Sequence, residues 1–311
     1  DEIEVSKDDA KCKLAEKWLQ KTAVDSELQV NENDTQIHIK GREFAYTIDR
    51  RTALFTEMKF AGREYLNHPM ELNIWRAPTD NDMYIKAEWK KAHYDKAYTR
   101  AYTTEVVQGK HGVKIVSHAS VVAETVQKIL DVTITWKIDA SGKIDADIEA
   151  TKDGEFPDLP RFGVRMFLDK KLSDARYFGM GPQESYRDKH QAASHGLYRA
   201  NVGDLHEDYI RPQENGSHYD CEYVELNNSR YGIVASAEKA FSFNASYYTQ
   251  EELEKKTHNY ELIESDSVVF CVDYALNGIG SNSCGPVVLE QYRFDDVLFR
   301  FQFTLIPYVK G

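Results

Sequence analysis

Two-residue alternation of polar and apolar side chains is the feature of this 311-residue chain that most limits its fold. Residues 36–40 read QIHIK and residues 143–148 read KIDADI. Successive side chains of a β-strand point to opposite faces, so this period predicts strands with one buried face, which is typical of antiparallel sheets. The strands predicted in this way cover residues 36–40, 44–48, 113–116, 129–138, 143–148, 162–168, 223–226, 232–236, 241–246, 268–273 and 298–306.

Helical signals are few by comparison. Residues 87–97 combine good helix formers with spaced aromatic side chains, and residues 250–256 predict a short helical turn. Turn-forming residues separate the strands, as in DASG at 139–142 and KDG at 152–154. Roughly fifteen strands with one or two short helices predict an all-β fold, a large antiparallel sandwich. Residues 1–25 differ in character, because they are highly charged and, taken alone, predict a helix with Ser6 as its N-cap.

Charge and cysteine content exclude several classes of protein. The net charge of -12 and the pI near 5.4 predict an acidic surface that repels phosphate backbones, so we expect no nucleic-acid partner. No run of ~18 apolar residues is present, so no transmembrane helix is predicted and we expect no membrane partner. The cysteines form no C-x-x-C pair, which argues against a metal site and favours reduced thiols. They are Cys12, Cys221, Cys271 and Cys284.

The chain begins at Asp1 and not at Met, so we expect it to derive from a longer or processed polypeptide. The sequence does not fix the compartment. We expect the cytoplasm, with the periplasm or secretion as alternatives.

Four peptides carry a family resemblance. In order and spacing they resemble the C-terminal, small-chain domain of the β-galactosidases of glycoside hydrolase family two, over about residues 33–308. The resemblance implies a supersandwich of the galactose-mutarotase type at 29–311, with 1–28 as a linker or as a remnant of a preceding domain. It therefore offers an extended strand as the alternative to a helix before residue 25. The peptides are Trp75–Asp82 (WRAPTDND), Phe178–Tyr186 (FGMGPQESY), Tyr209–Gly216 (YIRPQENG) and Gly278–Pro286 (GIGSNSCGP).

The resemblance also implies what this chain does and does not contribute. Members of the family hydrolyse terminal β-D-galactose residues of β-galactosides with retention, using two glutamates on a TIM barrel that precedes this domain. We therefore expect no catalytic residue, no cofactor and no metal site in this chain. Its expected partners are the barrel region or a large subunit, the β-galactoside substrate and further copies of the whole enzyme. Members often use Mg and Na ions, bound mainly on other domains.

Two short segments are the candidate site. By resemblance, the loop that contains Asn282, Ser283 and Cys284 lines the sugar site, where some members carry a Trp at the position of Cys284. Residues at the end of the WRAPTDND peptide border the entrance to the active site by the same argument. They are Asp82, Met83 and Tyr84. The alternative for this polar cluster is structural, with Arg76 paired to Asp80 or Asp82.

Other residues offer rival hypotheses. Glu184 and Glu214 each follow Pro-Gln and could form a local carboxylate pair, but we favour acceptance of hydrogen bonds from loop amides or arginines. A stand-alone mutarotase or epimerase would use a histidine and a carboxylate as acid and base. A carbohydrate-binding module would need an exposed aromatic platform, for which Trp75 and Trp89 are the only loose candidates. The clustered histidines are His190, His195, His206 and His218.

Overall fold

The computed structural model describes residues 28–310, which contain seventeen strands and two α-helices. Every strand pairing among these residues is antiparallel. The helices are α1 (Ile85–Lys91) and α2 (Gln250–Lys255). The strands are β1 (Gln29–Glu32), β2 (Gln36–Lys40), β3 (Phe44–Asp49), β4 (Leu54–Phe60), β5 (Arg63–Glu64), β6 (Leu66–Asn73), β7 (Tyr98–Gln108), β8 (Gly112–Val122), β9 (Leu130–Asp139), β10 (Ile144–Lys152), β11 (Arg161–Asp169), β12 (Asp174–Gly181), β13 (Ser194–Asn201), β14 (Ser217–Asn227), β15 (Tyr231–Ser246), β16 (Ser267–Leu276) and β17 (Leu298–Val309).

The larger sheet has twelve strands and divides at β15. Residues 231–236 of β15 pair with β17, whereas residues 242–246 pair with β16. One branch continues from β17 through β10, β9, β8 and β7, and the other from β16 through β11 to β6. The two branches face each other, since Phe162 of β11 lies 4.8 Å, centroid to centroid, from Phe299 of β17. The division of one sheet into two facing branches therefore makes the sandwich.

The smaller sheet, β1 to β5 in order, packs against β9. The Phe55 ring meets the Trp136 ring edge to face at 4.9 Å, and Trp136 Nε1 donates to the Ala53 carbonyl at 2.8 Å. Tyr46 donates its hydroxyl to the Gly142 carbonyl at 2.7 Å across the same boundary. One cluster of buried apolar side chains runs through both sheets, so they share a core. A buried Trp with a satisfied N–H anchors that core.

The prediction of an all-β antiparallel sandwich with one or two short helices is confirmed. Residues 232–236 and 241–246, predicted as two strands, belong to the single strand β15. The second helix was predicted within one residue of its end. The first helix was predicted at 87–97 but α1 covers Ile85–Lys91, because His93 adopts a left-handed φ of 58° and ends it. A 3₁₀ turn at Tyr94–Lys96 follows.

The predictions for residues 1–25, a helix from Ser6 or an extended remnant, lie outside the described residues. The boundary between 1–28 and 29–311 stays a prediction. Neither α-helix found between residues 28 and 310 is long and apolar enough to cross a membrane.

Candidate functional site

Arg76 and Asp82 form a buried ion pair just beyond the end of β6. Arg76 Nη2 lies 2.7 Å from Asp82 Oδ1, and Nε lies 3.2 Å from Oδ2. Asp82 Oδ2 also accepts from the backbone N–H of Thr79 at 2.9 Å and from its hydroxyl at 3.0 Å. The structural pairing predicted for Arg76 is therefore found with Asp82. Because this carboxylate is committed to the interior, Asp82 can border an entrance only through the turn that it fixes.

The same arginine holds the base of the loop at residues 277–286. Arg76 Nη1 donates to the Asn277 carbonyl at 2.6 Å, and Nη2 donates to the Gly278 carbonyl at 3.1 Å. The Asn277 side chain is buried and accepts from the backbone N–H of Phe294 at 2.9 Å. The guanidinium thus donates hydrogen bonds to two backbone carbonyls that would otherwise be unpaired in the interior.

Asp188 and Asn81 hold the next part of that loop. Asp188 accepts from two successive backbone amides, Ile279 N at 2.9 Å and Gly280 N at 2.7 Å. Asn81 Nδ2 donates to the Gly280 carbonyl at 2.7 Å, and Asn81 Oδ1 accepts from the Ser283 hydroxyl at 2.8 Å. Bonds to a carboxylate are stronger than neutral ones, so the base of the loop is firmly fixed. The role of Asp188 was missed from the sequence, where its only signal was its place two residues after the FGMGPQESY peptide.

The tip of the loop is open to solvent. Cys284 and Ser283 are exposed and Asn282 is half-buried. Beside them, Met83 is 42% exposed and Tyr84 is 63% exposed. The roles of these residues at a sugar site stay predictions.

Glu184 connects two of the other peptides. Its Oε2 accepts from the backbone N–H of Gly216 at 2.9 Å, and its Oε1 binds the Lys189 ammonium and the Tyr209 hydroxyl. These contacts favour the structural interpretation of Glu184 over a catalytic one. We refer to residues 75–84, 184–190, 209–216 and 277–286 together as the loop cluster.

Glu214 lies deeper in the loop cluster. Its backbone N–H donates to the Ala77 carbonyl at 3.0 Å, and its Oε2 accepts from Arg161 Nη1 at 3.3 Å. Arg161 also binds Asp273 through two nitrogens, at 2.6 and 3.2 Å. Burial raises the pKa of Glu214, an effect that Arg161 and Arg76 oppose. Glu214 therefore accepts a hydrogen bond from an arginine, as the structural interpretation of this carboxylate predicted.

The clustered histidines occupy separate environments. His218 is buried, stacks on Phe243 at 5.0 Å and bonds to the Met180 carbonyl at 3.1 Å through Nδ1. Burial lowers its pKa to about 4. The other three pack against different aromatic rings, so the four histidines do not converge on one point. These contacts are His190 on Tyr219, His195 on Phe178 and His206 on Tyr248. His195 Nε2 bonds to the Asp220 carbonyl at 3.0 Å and lies 3.8 Å from Asp220 Oδ2.

Tryptophan does not supply a sugar-binding platform in the described part of the chain. Trp75 is 3% exposed and Trp89 is fully buried, and their rings meet edge to face at 6.1 Å. Trp75 Nε1 donates to Glu254 and Trp89 Nε1 donates to the Asp158 carbonyl. Both rings serve packing, so the hypothesis of a binding module built on them is wrong. Residues 28–310 also contain no group of three or more His, Cys, Asp or Glu side chains that could hold a metal ion.

Comparison with known proteins identifies relatives over most of the chain. Residues 40–305 match the family described as "Beta galactosidase small chain". The chain is 44% identical over 281 residues to a β-galactosidase of Actinobacillus pleuropneumoniae, covering 90% of this chain and 28% of that protein. It is 32% identical over 282 residues to a β-galactosidase of Staphylococcus xylosus, covering 90% of this chain and 28% of that protein. The chain thus spans 28% of the length of these two relatives.

Solved structures with a similar fold are more distant in sequence. A galactose 1-epimerase from Lactobacillus acidophilus NCFM is 10% identical, with a TM-score of 0.46, covering 93% of this chain and all of that chain. A putative mutarotase from Salmonella typhimurium is 9% identical, with a TM-score of 0.42, covering 91% and 94%.

Proposed function

The chain belongs to the β-galactosidase small-chain family, and we propose that it is the C-terminal domain of a β-galactosidase of glycoside hydrolase family two. The whole enzyme would hydrolyse terminal non-reducing β-D-galactose residues of β-galactosides with retention of configuration. The observation that carries this proposal is the family match over residues 40–305, because it covers most of both sheets and all of the loop cluster.

The two carboxylates of a retaining glycosidase stand ~5 Å apart and free to reach the sugar. Glu184 and Glu214 are instead bound to amides, Lys189, Tyr209 and Arg161. We therefore assign the catalytic pair to the remaining part of the enzyme and no catalytic residue to this chain.

This domain would supply one wall of the sugar site through the tip of the loop at Cys284. A wall has to present side chains outward from a base that does not move, since small displacements weaken the positioning of a substrate. Arg76, Asp188 and Asn81 supply such a base by holding five backbone groups of the loop. Cys284 is small, so it would leave room at the wall where some members carry a Trp.

The apolar side chains around the tip would be covered by the catalytic region. Met83, Tyr84, Val287 and Leu289 are 42%, 63%, 57% and 60% exposed. Grouped apolar exposure beside a polar loop is typical of a surface that binds another protein or domain. We propose the barrel region of the same polypeptide, or a large subunit, as that partner. This domain would also supply assembly contacts that hold the barrel and the oligomer of the whole enzyme, whereas any Mg or Na ions would bind mainly on other domains.

A chimera tests the proposal. This chain would replace the matched 28% of the Actinobacillus pleuropneumoniae enzyme, with the intact enzyme as control. We expect the chimera to hydrolyse a chromogenic β-galactoside, and we expect proton NMR to show β-galactose as the first product. The 311-residue chain alone should show no turnover.

Two outcomes would contradict the proposal. One is a folded, assembled chimera without activity. The other is turnover by the chain alone that disappears in its Glu184→Gln variant, which would place the chemistry in this domain.

A further inference from the structure

A β-bulge lies near the start of β14, beside the loop cluster. His218 pairs with Phe243 and Cys221 pairs with Phe241, so two residues of β14 face one residue of β15. The two bulged residues of β14 are Tyr219 and Asp220, and the single residue opposite them in β15 is Ser242. Asp220 has a left-handed φ of 55°, which is uncommon for a residue with a side chain. Bulges and strained residues of this kind concentrate at functional sites, where they redirect side chains.

The bulge forms one wall of a cavity of about 210 Å³. Drug-sized ligands occupy pockets of ~300 Å³ or more, so this cavity suits a single small ring. Its lining joins β14, β15, the end of β16 and two loops. The polar and aromatic groups used in the argument below are Arg187, Tyr219, Asp220, Ser242, Tyr274 and Asp296.

Several of these polar groups lack a partner in the described part of the chain. The side chains of Asp296 and Tyr274 make no hydrogen bond there, and the nearest ionic partner of the Asp220 carboxylate is His195 Nε2 at 3.8 Å. Arg187 uses Nη1 on the Arg293 carbonyl at 2.9 Å. Burial raises the pKa of Tyr274, Asp296 raises it further and Arg187 opposes the rise, which places these groups within electrostatic reach of one another. The cavity therefore offers both acceptors and donors that are free to bind a ligand.

We propose that this cavity binds one neutral sugar ring, a hexopyranose, with the Asp220 and Asp296 carboxylates accepting from its hydroxyls. Hydroxyl groups both donate and accept, which matches two carboxylates, a phenol and a guanidinium in one small space. A cation would meet the charge of Arg187, and an anion would meet two carboxylates. The Tyr219 and Tyr274 rings provide apolar surface for the C–H face of the sugar.

Titration of the 311-residue chain with D-galactose, followed by protein NMR shifts, tests this site. We expect saturable binding with a Kd on the order of millimolar. Asp220→Asn and Asp296→Asn keep side-chain size, and Asn tolerates the left-handed backbone, so each should fold and bind about tenfold more weakly. Asp34→Asn is the matched control, because Asp34 is exposed on the turn between β1 and β2 and should leave binding unchanged.

Three results would overturn the inference. They are no saturable binding up to about 100 mM galactose, binding that is unchanged in both pocket variants, and preferential binding of a cationic probe such as arginine methyl ester. The inference does not depend on the proposed function. Failure here would leave the chimera result unaffected, and an inactive chimera would leave the titration unaffected.

Discussion

Replacement of Asp82 by Asn is the sharpest test of how the loop cluster is held. The substitution keeps the size of the side chain and removes the charge that faces Arg76, which is 0% exposed. At the observed N–O distance of 2.7 Å, Coulomb's law with an effective dielectric constant of 20 gives an attraction of about 6 kcal/mol. Desolvation offsets part of this attraction. Removal of one partner from a buried pair typically costs about 3–5 kcal/mol, because the remaining charge has no partner.

Such a loss would be easy to measure. A domain has about 5–15 kcal/mol of total stability, and each kcal/mol shifts the melting temperature of a large domain by about 2–4 °C. We therefore expect Asp82→Asn to lower Tm by roughly 6–20 °C, and urea titration to show a matching fall in the free energy of unfolding. Asp80→Asn is the control, since Asp80 lies in the same turn but is exposed and accepts only a 3.3 Å bond from Gln213.

The control should cost less than about 1 kcal/mol. The reasoning would be refuted if the two variants lost equal stability. A double-mutant cycle with Arg76→Met separates the pair from its neighbours. It should give a coupling energy of about 1 kcal/mol or more, because the two side chains touch.

Three further predictions follow from the same contacts. At pH 8 a small alkylating reagent should label Cys284 much faster than Cys271, because Cys284 is exposed whereas burial raises the pKa of Cys271 to about 12. Peptide mass spectrometry measures both labelling rates, and equal protection of the two thiols would place Cys284 in the core. Asp188→Asn should speed amide hydrogen exchange at Ile279 and Gly280 by about tenfold or more, since the Asp188 carboxylate accepts from both amides. Unchanged exchange would show that Asp188 does not anchor the loop. The pKa of His218 is about 4 in the folded chain and near 6.5 in the unfolded chain. Its contribution to the free energy of unfolding, about 3 kcal/mol, is therefore complete above pH 6.5 and is lost as pH falls towards 4. Urea titrations across this range should show a smaller loss of stability in His218→Phe than in the parent chain.

The sequence predicted those parts of the fold that depend on neighbouring residues. Strand β2 was predicted at its observed ends, because QIHIK alternates cleanly and turns flank it. The first helix was predicted too long, since nothing local shows that His93 turns left-handed so that Tyr94 can bury its ring. The division of the larger sheet at β15 was also missed, because it depends on which distant strands pair with each half.

The candidate site was predictable to a similar degree. Local turn chemistry offered Asp80 or Asp82 as a structural partner for Arg76, and the pair is formed with Asp82. Asp188 accepts from amides about ninety residues later, and no local pattern marks a contact of that kind. The bulge at Tyr219 and Asp220 was hidden for the same reason, since register is a property of two strands and not of one.

The position of β17 has a consequence for how the chain is made. This strand is the last one described, yet it lies in the interior of the sheet, between β10 and β15. One edge of residues 144–151 pairs with β9, but the other edge pairs with residues 298–305, so a ribosome must synthesise about 150 more residues before that second pairing can close. Until then β10 and β15 each present an unpaired edge, which is a site for aggregation. A nascent chain that stalls before residue 298 would therefore expose two unpaired strand edges at once and would need chaperones to prevent its aggregation.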